Sequence, residues 1–534
     1  MESTTELITQ GLNALRCGEL TRADGLLQRA VALSPQDSTL FSYLGIVQQQ
    51  IGKPAAAKAY YEQALALNPQ NVDAMVNMGL LLQDTGDGQG ALDLYTRALN
   101  IVPNHATAHA NLGSLLQECG QLEDALRHHR AALLTAPQFA TPLNNIGLIE
   151  LTRGNYDAAL SALSNATHLD SAAADPWCNL GNAYKSVGRF QEAIDAYDKA
   201  IACRLDHAGA HWNKALLSLL LSNWNAGLAD YEWGFAAKER HKRPFPYPSE
   251  CGSPWRDKHV LVYAEQGVGD EIFFARYLTP LLELGTTVVM ECDPRLQDIL
   301  QRSFPQISFH GANKHDQVAW TQQYEPFDCV LAQGSIPHAL KIAAPSSSAV
   351  QYLIPDANKV TAWRARLAGR NAMPKIGIAW RGGKDPQLQR ERSIPLLQWE
   401  SILRIPNVSF VNLQYGEHAA EIAAASRQFG IDILAFPELD PLQDLDNFAA
   451  AVAALDLVIS IDNSTVHFAG ALGQTTWTLL PLVPDWRWQL KSDTTPWYSS
   501  MKLFRQTTLG DWQPVIANVT SELNRWLQSA RRES

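Results

Sequence analysis

No apolar run in this 534-residue chain approaches the roughly 20 residues that a membrane-spanning helix needs. The opening residues, MESTTELITQ, are polar and acidic and do not read as a secretory signal. Cysteine is sparse: seven residues are scattered without a CxxC pair or a Cys/His cluster. That spacing indicates neither a disulfide framework nor a zinc site. An excess of positive charge is missing too, with 43 Lys and Arg against 54 Asp and Glu and a net charge of −11. Nucleic acid and anionic membrane are therefore poor main partners, although a single pocket can still be locally basic. No segment is disordered by composition, and apolar residues make up an ordinary 46%. A chain of this length divides into several domains, and the expectation is a soluble cytoplasmic protein.

What the chain does have is a period. Asn77, Asn111, Asn145, Asn179 and Asn213 recur at intervals of 34 residues. Each is followed two positions later by a small residue: Gly79, Gly113, Gly147, Gly181 and Ala215. Gly18, Gly52, Gly86, Gly120, Gly154 and Gly188 keep the same step and suit a helix–helix turn with φ > 0. Alanines recur from Ala23 to Ala193 and from Ala30 to Ala200, and Pro35, Pro69, Pro103 and Pro137 close repeats. The pattern resembles tetratricopeptide repeats, one helix–turn–helix each, with six from about Thr4 to Asp206 and a degenerate seventh to about Gly234. The asparagines then form a ladder of side-chain amides that both donate and accept, suited to gripping the backbone of a bound polypeptide. The competing reading is a merely solvated stripe. His105, His109, His128 and His129 fall within regular repeats and read as solvated helix faces rather than a metal site.

After Tyr231 the period fades, and Pro244, Pro246, Pro248 and Pro254 mark a stiff connection. Short β-branched runs then alternate with amphipathic stretches: His259–Ala264, Thr286–Glu291, Asp328–Ala332, Lys375–Trp380, Val408–Leu413, Asp456–Ile461 and Thr475–Leu480. This is an α/β layout with parallel sheets. The predicted architecture is an α solenoid over 1–234, a Pro-rich connection over 235–257, and two doubly wound Rossmann-like lobes over 258–355 and 356–534. Ligands bind such sheets at the carboxyl ends of the strands.

Three segments could carry chemistry there. In HVLVYA followed by EQGVGDEIFFARYL, Gly267 and Gly269 permit a tight strand-to-helix turn. The third glycine of a dinucleotide fingerprint and a Walker lysine are both absent. Asp270 either caps the helix or, facing the interlobe cleft, accepts a proton. In DLVISIDNSTVHFAGALG a strand ends at Asp462, and Ser464 and Thr465 open a helix whose free N–H groups and dipole suit a phosphate. His467 would add a hydrogen bond to a diphosphate and Asp462 would hold sugar hydroxyls; the alternative is an ordinary cap and a core histidine. In KIGIAW followed by Arg381-Gly382-Gly383-Lys384, a cation on a glycine-rich loop suits a phosphate, or is a surface turn. Gln414 and Tyr415 end the next strand and would touch the same ligand. Trp486, Trp488, Trp497 and Tyr498 read as packing.

The second half resembles the two-lobed GT-B glycosyltransferases. GVGDEIFFARYL resembles the strand–GD–helix element of the ADP-heptose heptosyltransferases, and DNSTVHFAGALG their donor-lobe element. The resemblance implies Asp270 as catalytic base and Asp462, Ser464, Thr465 and His467 as the element that holds the donor; Asn463 in the same segment and Arg381, Gln414 and Tyr415, read from their strand ends, complete the expected donor site. The plan of repeats followed by GT-B lobes is similar to the protein O-GlcNAc transferases, whose catalytic histidines and donor lysine have no evident counterpart. The implied activity is metal-independent, inverting transfer from a nucleotide sugar to a protein acceptor held by Asn77, Asn111, Asn145, Asn179 and Asn213, with no separate cofactor. Two alternatives stand: an adaptor with an inactive transferase half, or a glycan-directed transferase.

Overall fold

The computed structural model describes residues 3–342, 351–383 and 386–533, and the chain divides into two compact units, Met1–Ala183 and Tyr184–Ser534. In the first unit, helices pair antiparallel. Val72–Asp84 packs on Gly88–Ile101, and Ala106–Glu118 on Leu122–Thr135. The recurring turn glycines take the left-handed conformation, with φ of 75° at Gly18, 88° at Gly86 and 80° at Gly154. A second in-register glycine lets the paired helices touch. A Cβ on Gly79 would stand 2.6 Å from the Tyr95 ring, and one on Gly113 would stand 2.8 Å from the His129 ring.

That last contact departs from the sequence reading. His129 is not on a solvated face but fully buried at 0% exposure, in the step of Tyr61 and Tyr95. Those tyrosines donate to Gln49 and Gln83 at 3.1 and 3.2 Å. At the corresponding place Gln117 Oε1 and both His129 ring nitrogens are buried without a partner. His109 and His128 are half-buried and meet through their Nδ1 atoms at 2.9 Å. His105 caps the helix Ala106–Glu118 by accepting from Ala108 N.

His129→Tyr is therefore expected to restore the missing bond to Gln117 and stabilise the first unit by about 1–3 kcal/mol. Burial, with His128 beside it, holds the His129 pKa down from 6.5 to about 4. Between those values the unfolded chain binds a proton that the folded chain refuses, so stability falls as pH drops from 6.5 to about 4. That interval corresponds to roughly 3 kcal/mol. Urea unfolding of both proteins at pH 7 and pH 5, followed by far-UV circular dichroism, checks this. The variant should gain at both and gain more at pH 5; no gain at pH 7 would mean the hydroxyl does not reach Gln117.

The second unit begins with helices Phe190–Cys203, Ala208–Leu220 and Trp224–Asp230. The proline-rich connection that follows is no free spacer. Arg240 and Arg243 are buried in it, and Phe245 and Tyr247 pack on the face of the first sheet. Val330 N donates to Pro248 O at 2.8 Å. Cys251 and Cys329 form a disulfide with Cα atoms 5.2 Å apart, against the expectation from spacing. The pair is 78 residues apart in sequence, so only this tertiary docking brings it together.

Two all-parallel sheets follow. The first has the order β3-β2-β1-β4, from β1 (His259–Tyr263), β2 (Thr287–Cys292), β3 (Ser308–Gly311) and β4 (Cys329–Ala332). The second has the order β10-β9-β8-β5-β6-β7, from β5 (Lys375–Ala379), β6 (Ser409–Asn412), β7 (Ile433–Leu434), β8 (Leu457–Ile461), β9 (Thr476–Leu480) and β10 (Met501–Arg505). Strand order reverses between β1 and β4 in one sheet and between β5 and β8 in the other. Crevices open at such reversals, beyond the carboxyl ends of the strands. Ile376, Ile378, Trp399 and Ile459 form the core of the second sheet, which the closing helix Gln513–Glu533 covers with Val515, Val519 and Leu523.

Candidate functional site

Both chemistry-bearing turns sit at these reversals. β1 runs into the helix Val268–Ala275, and β8 into the helix Ser464–Ala471. The two helix starts meet at Gly269, where a Cβ would stand 3.3 Å from His467 Cδ2 and 3.5 Å from Ser464 Cα. Asp270 and the Asp462–His467 segment are thus neighbours.

Asp270 is both a cap and an ion-pair partner. Its Oδ2 accepts from Gly267 N at 3.1 Å, and its Oδ1 takes Arg487 Nη2 at 2.5 Å. Its side chain keeps 32% exposure. Glu271, next in sequence, is buried and accepts from Asp293 N, and burial pushes its carboxyl up to about 8. Of these adjacent acids only Asp270 is open to solvent.

Arg487 links the two sides. Besides Asp270 it holds Asp485 at 2.9 Å, and its guanidinium lies 4.6 Å from the centroids of Phe273 and Trp486. Burial opposes its charge, but Asp485 and Asp270 hold its pKa above the ordinary value. Trp486 and Trp497 pack edge-on against Phe273, as aromatic core. Trp488 instead stacks on His467, 5.3 Å away at 16°.

At the end of β8, Asp462 is 3% exposed and Arg392 Nη1 approaches its Oδ2 to 3.7 Å. Burial raises the Asp462 pKa against the pull of Arg392. The helix cap is neither Asp462 nor Ser464 but Asn463, whose Oδ1 accepts from Thr465 N at 3.0 Å. Thr465 N is consequently not a free donor, and Val466 N turns to Asn463 O. Near this turn Arg487 Nε and Asp462 Oδ2 are buried without a hydrogen bond, and the Trp488 indole lies beside the Asp462 carboxylate, where it opposes the rise in its pKa. Buried groups of that kind are rare unless a ligand or water completes them.

The loop after β5 is tied to the same turn by its backbone, not by its cation. Asn463 Nδ2 donates to Arg381 O, while the Arg381 guanidinium turns to Glu421 and to the Glu417 carbonyl. Gln414 is 2% exposed and spends its amide on Trp380 N, Arg381 N and Tyr415 O, so it holds the loop rather than facing a ligand. Tyr415 is half-buried; burial raises its phenol, with Gly383, Arg381 and Arg392 beside it. Lys384 lies outside the described residues.

Arg487, Asp485, Arg392 and Trp488 were not singled out from the sequence as ligand-facing. For Asp485, Arg487 and Trp488 the signal was the polar pair inside Pro484-Asp485-Trp486-Arg487-Trp488, where an acid and a base interrupt an otherwise apolar turn; Arg392 gave none. A separate cavity of about 940 Å³ lies under the proline-rich connection, lined by Phe245, Tyr247, Trp255 and Lys341, and shares none of these site residues.

In the first unit Asn77, Asn111, Asn145 and Asn179 are all half-buried. Asn145 donates to Ser114 Oγ at 3.0 Å and Asn179 to Asn144 Oδ1 at 2.9 Å, so part of the ladder joins neighbouring repeats. Asn213 belongs to the second unit, half-buried on Ala208–Leu220. No group of three or more His, Cys, Asp or Glu side chains placed to hold a metal occurs among the described residues. Among them, no helix is long and apolar enough to cross a membrane.

Models of the tetratricopeptide repeat match residues 44–106, 94–127 and 174–207, and a further repeat model matches 147–188. The N-terminal region carries tetratricopeptide repeats. Protein FlbA of Caulobacter vibrioides is 31% identical over 342 residues, which cover 61% of this chain. The match spans 56% of that relative, little more than half its length. Among solved structures, a tetratricopeptide repeat protein from Parabacteroides merdae aligns with a TM-score of 0.36 at 20% identity, over 44% of this chain and 92% of that one. TTC0263 of Thermus thermophilus aligns with a TM-score of 0.31 at 23% identity, over 34% of this chain and 99% of that one.

Proposed function

We propose that the α/β half is a glycosyltransferase of GT-B type that moves a sugar from a nucleotide sugar to a protein recruited by the repeats. The observation that carries this reading is the set of unpartnered buried atoms at the β8 turn. Arg487 Nε is a donor free to meet an anion, and Asp462 Oδ2, with the Trp488 indole beside its carboxylate, is an acceptor free to meet a hydroxyl. A ligand satisfying both carries a phosphate and a hydroxyl close together, as a nucleotide sugar does. Asp270 takes the proton of the acceptor hydroxyl as its oxygen attacks the anomeric carbon. The bond from that carbon to the phosphate oxygen breaks, and the leaving diphosphate keeps the electron pair. Arg487, Arg392 and the start of the helix Ser464–Ala471 stabilise the charge that develops there.

A thermal-shift panel of nucleoside diphosphates and sugar nucleotides tests the reading. A ligand at one hundred times its dissociation constant stabilises the native state by about 2.7 kcal/mol, so at least one nucleotide should raise the melting temperature. A second reading, a repeat-based scaffold with a silent transferase half, is favoured by the way Asp270 and the Arg381 guanidinium already hold partners. A flat response across the panel would select it.

A further inference from the structure

His467 makes one hydrogen bond among the described residues, a 3.0 Å contact between Nδ1 and the Tyr498 hydroxyl. Which of the two carries the proton follows from the groups behind Tyr498. Tyr352 gives its only hydroxyl proton to Ile272 O at 3.0 Å and accepts from Arg276 Nη2 at 3.2 Å. In its 3.5 Å contact with Tyr498, Tyr352 can only accept. Tyr498 therefore donates to Tyr352 and has only lone pairs left for His467. With the opposite assignment, the half-buried contact between the two hydroxyls would contain no proton at all. Arg276 is fixed at the head of this chain by Phe273 O and Trp497 O, at 2.9 and 2.8 Å.

We propose that Tyr498 is a positioning residue that holds the proton of His467 on Nδ1 and leaves Nε2 as a bare lone pair on the ring edge that meets Gly269 and Ser464. Burial and the surrounding cations Arg487, Arg276 and Arg392 keep the ring neutral, with its pKa lowered to about 3. A neutral ring in this tautomer cannot donate to a phosphate from Nε2. The ligand group it accepts from is a hydroxyl, and the diphosphate is left to the arginines. The tautomer follows from the hydrogen bonds alone; that the hydroxyl belongs to a nucleotide sugar rests on the function proposed above.

Imidazole ¹⁵N spectra of the full chain test this, with the His467 signals assigned by their loss in His467→Gln. The wild type should show Nδ1–H over Nε2–H by at least about five to one, the ratio one net hydrogen bond supplies. Tyr498→Phe should reverse that preference. A wild-type His467 protonated on Nε2, or a Tyr498→Phe spectrum still protonated on Nδ1, would overturn the proposal. In thermal shifts with ADP, UDP and their glucose conjugates, Tyr498→Phe should weaken the sugar nucleotide about five-fold and leave the bare diphosphate unchanged. Equal weakening of both would refute the assignment to a hydroxyl of the transferred sugar. Should none of these ligands bind the wild type, the transferase reading fails while the spectra still decide the tautomer.

Discussion

Asp270→Asn is expected to lower sugar transfer by about 10²–10⁴-fold, the usual contribution of a general base, with little change in nucleotide affinity. The amide oxygen of asparagine can still accept from Gly267 N, so the helix start at Val268 survives. Arg487 retains Asp485. Only the capacity to take up a proton disappears. Asp270→Ala removes the cap as well, at a further stability cost near 1 kcal/mol, and should be at least as inactive. Single-turnover transfer of a labelled sugar, measured beside binding of the bare diphosphate, separates the two effects. If Asp270→Asn retained near-normal turnover, Asp270 would be a structural cap and Arg487 ligand, and another group would be the base.

The largest stability effect is expected at Arg240, whose side chain is 0% exposed. It donates to Glu265, to the Tyr231 carbonyl, to Glu232 and to Ser335, at 3.1, 3.2, 3.0 and 2.7 Å. Truncation to alanine leaves Glu265, itself 2% exposed, as an uncompensated buried charge. Breaking a buried pair from one side costs about 3–5 kcal/mol. The chain has 15 tryptophans, of which Trp177 alone precedes residue 184, so tryptophan fluorescence follows the second unit. Its unfolding should move to lower denaturant in Arg240→Ala. Adding Glu265→Leu should recover part of the loss, because the orphaned charge goes with it. Additive losses in the double variant would show that packing around Arg240, rather than charge compensation, sets its worth.

Much of this arrangement was legible because repetition and strand interiors write themselves into the sequence. The 34-residue step placed the left-handed glycines, and the continuous apolar runs around Val260 and Ile459 placed central strands. The strands that escaped are β3, β7 and β10, each at an edge of its sheet. An edge strand is short or mixed in polarity, as in Met501-Lys502-Leu503-Phe504-Arg505, because one side lacks a neighbouring strand. His129 was misplaced for a different reason: its residue type suggests solvent, while its register, shared with Tyr61 and Tyr95, dictates burial.

The candidate site divides in the same way. Asp270, Asp462, Ser464 and His467 were readable because each lies on a strand-to-helix turn, where polar residues interrupt an apolar run. Arg487 was not, since its bond to Asp270 spans 217 residues and only the tertiary fold creates it. Gln414 and Arg381 lie at the expected strand ends, yet their side chains are committed to the loop and to Glu421. A strand end marks where a residue sits, while its hydrogen-bond partners determine what remains free to meet a ligand.

The central claim is that a nucleoside diphosphate binds at the β8 turn. Hydrogen exchange of the full chain, followed by mass spectrometry with and without saturating ADP or UDP, tests it most directly, since exchange slows where a ligand restrains local opening. The predicted result is protection of peptides containing Asp462–His467 and Asp485–Trp488, with the repeats unchanged. Protection confined to the peptides that line the cavity under the proline-rich connection, or no protection with either nucleotide, would contradict the account.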